Sequence, residues 1–388
     1  MLKGKTGSSV LSNAREAGRQ AAAQAKQGLD KIKIAFVYAS CDYDLKAMLE
    51  GIEETMPGIP VVGNTSYTGV ITPEGYIHGD DGFVGIMALE DDAMTVGAAC
   101  RKKGACARED GRIAARQAME AAGRTDPPDY FYMAASPGEE EFYLKGITEV
   151  IGRVPFFGGS CADNTITGGW QLYSGAEVFP DGVVVVFFYS EKPVANYFTG
   201  AYRETKDMGI VTKMEGHRTI AEIDGVPALK KYAQWRGMDP ESLKGGALLA
   251  GTVVSPLGVK DRLGDLTAIR HPMNGNDDYT INVGNKVAEG TAVIRMEATV
   301  DELVSSVEEG VRKLTQKAPA PLGALHLVHC GGRRAGIGDR IQEVYAGMKS
   351  AAGDLPFIAE FTFGEYGYED DGNNTCGGLM LSFTGFAK

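Results

Sequence analysis

No stretch of this 388-residue chain approaches the roughly 18 consecutive apolar residues that a membrane-spanning helix requires. The longest candidate, Gly182 to Tyr189, has the length of a buried strand. Behind Met1-Leu2-Lys3-Gly4-Lys5 come Ser, Gly and Asn rather than an apolar run, so no secretory signal is read and a cytoplasmic protein is expected. The six cysteines, at 41, 100, 106, 161, 330 and 376, have no short-range pairing pattern. Reduced thiols are therefore expected, because a chain of this size needs no covalent staples. Histidine is scarce, with five residues at 78, 217, 271, 326 and 329 and none of the short spacings of a zinc site. His326 and His329 are three apart on a strand and so face opposite ways. A basic excess is lacking too: 39 basic against 51 acidic residues leave 39 − 51 = −12. That balance disfavours nucleic acid and anionic lipid and points to a cationic or neutral small ligand.

What is present is ample core material, 44% hydrophobic residues with 23% charged, and a unit that occurs three times. Each copy has an apolar strand, a helix, a proline-started strand with a polar or Gly-rich loop, and a final strand. The copies start at Ala35-Phe36-Val37-Tyr38, Tyr130-Phe131-Tyr132-Met133 and Leu325-His326-Leu327-Val328. Their second strands open at Pro60, Pro155 and Pro356, and they close on Gly82 to Ile86, Val183 to Phe188 and Leu379 to Leu381. Corresponding loops of repeated units converge, and a site can be built where they do. The mostly apolar strands predict sheets covered on both faces. Turn residues before Gly82 predict that the second and closing strands of a unit form an antiparallel ribbon, making the sheets mixed. The fold class is α/β: two layered domains with mixed sheets, built from strand-helix-strand-strand units. Composition and repeat both break at 190 to 215, which divides the chain into 1–200 and 201–388, and a chain ending there is expected to stay soluble. Asn13 with Glu16 and Gly28 bounds a first helix, and Thr299 opens an amphipathic one. Ile223-Asp224-Gly225-Val226-Pro227-Ala228 reads as strand, tight turn and helix start.

The richest loop is Cys330-Gly331-Gly332-Arg333-Arg334, after a strand and before a helix. Exposed amides and two arginines there would bind an anion, or the loop is a turn with solvated arginines. Walker and dinucleotide spacings both fail. Glu365, beside Gly364, and Asp163, after Gly158-Gly159, are either ligand-facing or solvated turn acids; Asn374 and Thr375 either touch ligand or make side-chain turns. Gly158 and Gly159 are read as admitting close backbone approach, to ligand or to an opposing loop, at positive φ. Cys330 could be a nucleophile only with a partner that lowers its pKa; a buried inert thiol is the alternative. No Ser-His-Asp set or carboxylate pair stands out.

Gly158-Gly159-Ser160-Cys161-Ala162-Asp163 resembles the Gly-Gly-x-Ala-Asp stretch of the FIST N-terminal half. Cys330-Gly331-Gly332-Arg333, Gly364-Glu365-Tyr366-Gly367 and Asn374-Thr375 resemble the signatures of its C-terminal half, in the same order. The loop Gly63 to Gly69 departs from the family pattern, and Asn374-Thr375 lacks an intervening residue. The resemblance spans roughly residues 12 to 385. It implies a sensory protein of intracellular signalling that binds a small molecule, an amino acid being the implied class, and that signals to a separate protein. It also favours Arg333 as a ligand anchor over Arg334. Arg333 and Glu365 would then grip the carboxylate and ammonium of a zwitterion. Two rivals stand beside it: a thiol enzyme using Cys330, and a haem-bound gas sensor in which His271 is as good an axial ligand as any. No cofactor is otherwise expected.

Overall fold

The computed structural model describes residues 1–260 and 265–388. Its plan is the threefold repeat, with each copy longer at its front end than the sequence pattern suggests. The first copy is β1 (Lys3–Ser9), α1 (Ala14–Ala25), β2 (Ile32–Ala39), α2 (Leu45–Thr55), β3 (Val61–Thr65), the hairpin β4 (Val70–Thr72) and β5 (Gly75–Ile77), and β6 (Val84–Glu90). The second is β7 (Thr95–Lys102), α3 (Ala107–Ala121), β8 (Tyr130–Ala135), α4 (Glu140–Ile151), β9 (Phe156–Ser160), β10 (Leu172–Ser174), β11 (Glu177–Phe179) and β12 (Gly182–Tyr189). The third begins with β13 (Val194–Thr199) and is then interrupted. The insertion comprises β14 (Arg203–Glu215), β15 (Thr219–Ile223), β16 (Val226–Pro227), α5 (Ala228–Arg236), α6 (Ala247–Gly251), β17 (Leu257–Lys260), β18 (Thr267–Arg270), β19 (Pro272–Gly275), β20 (Ile281–Val283) and β21 (Ala292–Glu297). The copy resumes with α7 (Val300–Lys317), β22 (Leu322–Cys330), α8 (Gly331–Ile337), α9 (Ile341–Ala352), β23 (Phe357–Thr362), β24 (Glu365–Gly367), β25 (Thr375–Gly377) and β26 (Leu381–Ala387).

The expected starts hold at the level of single residues. Asn13 caps α1 by accepting from the Glu16 amide, Gly28 leaves it at φ 78°, and Thr299 with Glu302 forms a capping box on α7. Asp224 and Gly225 both take positive φ in the turn before α5, with Pro227 at its N-cap. The ribbon expected between the second and closing strands does not form. β6, β12 and β26 instead run antiparallel to β2, β8 and β22, while β3, β9 and β23 lie parallel on the other side.

The hairpins between them leave their own sheets. β10–β11 adds to β3 of the first copy, β24–β25 to β9 of the second, and β4–β5 to β23 of the third. This cyclic exchange ties the three six-stranded sheets around one core. In it the equivalent residues Phe36, Tyr132 and His326 lie close together. An eight-stranded sheet makes up the insertion. Residues 1–200 alone would lack β23, on which β4–β5 rests, and β24, which covers β9. Those strands carry buried Glu360, Phe361 and Tyr366, so the truncated chain should aggregate or remain partly unfolded, with apolar edges unpaired. A cooperative thermal transition from soluble residues 1–200 would refute this.

Candidate functional site

The repeat provides its own controls, because residues at equivalent places can be compared within one chain. At the fourth position after the starting prolines stand Asn64, Gly159 and Glu360. Opposite them in the exchanged hairpins stand Leu172, Glu365 and Val70. Two positions that elsewhere hold a small, amide or aliphatic residue thus hold fully buried acids in the third copy.

Glu365 lies in the cluster that the sequence singles out. Its Oε1 accepts from Thr362 Oγ1 at 2.9 Å and its Oε2 from the Met380 amide at 2.8 Å. Burial nevertheless pushes its pKa up to about 8. Cys330 is close enough to hydrogen-bond it, and its sulfur accepts from the amides of Gly332 and Leu379, both at 3.2 Å. Burial pushes the Cys330 thiol well above its usual range, the opposite of what a nucleophile needs. Arg333 lies inside α8, fully buried, and donates to the carbonyls of Gly200, Leu379 and Leu303 and to Ser306 Oγ. The expected Arg333–Glu365 grip on a zwitterion is therefore replaced by closed packing, with the guanidinium committed to backbone. Arg334 stacks over Tyr76 and donates to its hydroxyl.

The other expected residues divide. Asp163 is buried and gathers the amides of Thr165, Gly168 and Gly169 among others, which hold its carboxyl low against burial; its carboxylate organises its own loop. Gly158 has φ 131°, and a β-carbon there would overlap the Met133 carbonyl. Gly159 is not at positive φ. It is small because a β-carbon would lie 2.8 Å from the Gly364 carbonyl oxygen and 2.6 Å from Thr362 Cγ2, so the close approach is to the opposing hairpin. Gly159→Val should cost about 3 kcal/mol through overpacking, measured by urea unfolding. An unchanged midpoint would mean that the Gly364 loop yields freely. A β-carbon on Gly364 would meet Ser160 Oγ at 2.7 Å.

Asn374 and Thr375 open onto a different place, a cleft of about 390 Å³. Its walls are α4, with Glu141, Leu144, Lys145 and Thr148, then Arg153, Arg270 of the insertion, and the loop before β25. The first copy has the corresponding groove, lined by Lys46, Leu49, Glu50 and Glu53 of α2 and by the tight turn Gly175-Ala176. Gly51 and Gly146 align the helices, each abutting a backbone carbonyl of the helix packed on it. In the third copy Tyr345 stands at the place of Leu49 and Leu144, and its hydroxyl reaches the Pro73 carbonyl at 3.1 Å.

Only the second copy's groove is bordered by the insertion and by the long loop of residues 368–374 in place of a two-residue turn. There Leu45 and Ile341 of the other copies are replaced by Glu140, fully buried. Glu140 Oε2 lies 3.1 Å from Arg218, and Asn285 Nδ2 donates to its Oε1 at 3.2 Å. Burial raises the Glu140 pKa. Arg218 also pairs with Glu141 at 2.6 Å. Arg270 donates only to the carbonyls of Lys286, Ile269 and Cys376, with no carboxylate within ion-pair distance among the described residues. Burial lowers its pKa, outweighing the attraction of Glu141 and Glu140 farther off. Asn374 donates to the Val154 carbonyl, while its buried Oδ1 has no partner among the described residues. The cleft's cationic side chains outnumber Glu141, whereas the chain as a whole is acidic; net charge did not foretell the site.

Sequence reasoning missed Arg270, Glu141 and Glu140, and also a second buried network. In it Tyr38 Oη lies 2.5 Å from His326 Nε2, Tyr132 donates to Asn64, and Asn64 Nδ2 donates to Glu360 Oε2 at 2.8 Å. The residues of this network come from all three copies. Burial pushes Glu360 up to about 8 and His326 down to about 3. The available signal was the odd residue at an equivalent place, Glu140 against Leu45 or His326 against Phe36.

Haem does not fit at His271. Its Nε2 is engaged with the Leu249 carbonyl at 3.0 Å, and a β-carbon on Gly332 would lie only 3.3 Å from its ring. Among the described residues no group of histidine, cysteine and acid side chains could hold a metal ion, and no helix is long and apolar enough to cross a membrane. All six cysteines are free.

Residues 33–226 match the FIST N domain and residues 228–368 the FIST C domain. The chain belongs to the FIST family of sensory domains that bind small ligands. No curated protein is similar at a significant level. Among solved structures it is similar to cyanuric acid hydrolase from A. caulinodans, with TM-score 0.40, 10% identity and all of both chains covered. It is also similar to a chorismatase, with TM-score 0.34, 8% identity and 93% and 94% covered. A third is phosphoribosylformylglycinamidine synthase II from Thermotoga maritima, with TM-score 0.24, 13% identity and 100% and 72% covered. Likenesses this distant carry no functional inference.

Proposed function

We propose that this protein senses a small zwitterion, of the amino-acid class, in the cleft between α4, the insertion and the β24–β25 loop, and signals to a separate protein. The observation that carries the reading is Arg270, a half-buried guanidinium without a carboxylate partner, which lines the cleft together with Asn374 and Thr375. A carboxylate on the ligand would complete Arg270's hydrogen bonding, with Lys145 adding attraction. Its ammonium would lie in the field of Glu141. The volume suits a molecule of that size. In this reading Asn374 and Thr375, of the family's C-terminal signature, border the ligand, and the anchoring role passes from Arg333 and Glu365 to Arg270 and Glu141. Calorimetric titration with each free protein amino acid, and with its des-amino and des-carboxyl analogues, tests the reading. Saturable binding is expected for at least one amino acid and for neither analogue. Binding of an analogue with equal affinity would reject the zwitterion.

A further inference from the structure

The insertion enters and leaves the third copy between β13 and α7, at the place where the other copies have short connections. In those copies a residue in the loop after β2 or β8 contacts the connection. Tyr43 donates to the Leu11 carbonyl between β1 and α1, and Glu139 pairs with Lys103 between β7 and α3. Their counterpart, counted from Ser40, Ser136 and Cys330, is Arg333.

Arg333 reaches both ends of the insertion at once. Nη1 donates to Gly200 O at 2.6 Å, just before β14, and Nη2 to Leu303 O at 3.2 Å and Ser306 Oγ at 2.6 Å, in α7 just after β21. Nη1 also lies 3.5 Å from Leu379 O. Two of these carbonyls adjoin or belong to residues in a disfavoured conformation. Ala201 has φ 53° and Leu379 φ 55°, although neither is glycine, and such backbone persists only where its surroundings over-determine it. From Leu379 the chain of contacts runs back to the cleft. Gly378 N donates to Ile269 O, and Arg270 donates to Cys376 O.

We propose that Arg333 is a clasp that holds the two crossings of the insertion, and that residues 376–380 couple it to the cleft, so that occupancy at Arg270 alters how firmly the insertion is held. The signalling consequence rests on the cleft reading; the clasp does not, and it is tested without ligand. Arg203 and Lys206, exposed on the entering strand, are trypsin sites that report opening of the joint.

Arg333→Lys keeps the charge but loses the fork. It should speed cleavage at Arg203 and Lys206 at least tenfold, with cleavage in α1 and α3 unchanged. Adding Ala201→Gly, which removes the left-handed penalty, should return several-fold of that loss. Ser306→Ala, removing one acceptor, should give about threefold and serves if Arg333→Lys does not fold. Parental cleavage rates in both variants, or acceleration equal at all sites, would overturn the clasp. Arg270→Gln should speed joint cleavage about threefold; no change there, with Arg333→Lys accelerated, would overturn the coupling alone.

Discussion

Raising the pH from about 6.5 to 8 should destabilise the folded protein by about 3 kcal/mol, an unusual direction for an acidic protein. Glu360 and Glu365 are fully buried and both are pushed up to about 8 by burial. A carboxyl whose folded pKa lies above its unfolded value binds its proton more tightly in the native state. Its stabilising contribution is complete below the unfolded value near 4.5 and is lost as pH rises through 8. The buried histidines work oppositely. His326 and His329 are lowered to about 3 and His271 to about 4, so their contribution is complete above 6.5 and lost as pH falls through 3 to 4. Between 4.5 and 6.5 the two sets oppose, and the three histidines outweigh the two acids so that stability still rises gently with pH; above 6.5 only the acids act. Urea unfolding at pH 5.5, 6.5 and 8 measures this. Glu365→Gln, retaining the hydrogen-bonding shape, should remove about half of the alkaline loss, and a flat profile from 6.5 to 8 would show that the acids are already ionised.

Arg270→Gln should weaken ligand binding about ten- to a hundredfold, since a charge-assisted hydrogen bond contributes roughly 1.5 to 3 kcal/mol. Its present acceptors are backbone carbonyls, and a neutral glutamine can still donate to one of them, so circular dichroism should stay close to the parent. Arg333→Lys addresses a different function and should leave the intrinsic contacts to ligand intact. Affinity unchanged in Arg270→Gln and lost in Glu365→Gln would return the site to the Cys330 cluster.

Much of the fold was legible because period and punctuation recur. The prolines at 60, 155 and 356 mark the second strands, and Asn13, Thr299 and the Asp224-Gly225 turn are local signals that the structure obeys. The hairpin exchange was not legible. Which sheet β4 joins is decided by tertiary pairing with β23, and nothing in Val70 to Thr72 specifies a partner. The family motifs did find residues that matter, but spacing could not tell a buried guanidinium from an exposed one. Arg333 and Arg334 are neighbours in an identical Gly-rich context, and only the packing of α8 sends the first into the interior. Arg270 gave no signal, because its importance arises where the insertion meets α4, which no local pattern encodes. Comparing the copies residue by residue would have exposed Glu140 and His326.

Mass spectrometry of small molecules released by gentle denaturation tests the cleft most directly, comparing the parent with Arg270→Gln purified side by side. The parent should release a zwitterionic molecule bearing one amine and at least one carboxylate, and the folded variant should release little or none. Equal retention of that molecule by the variant, or a retained compound without a carboxylate, would contradict the assignment.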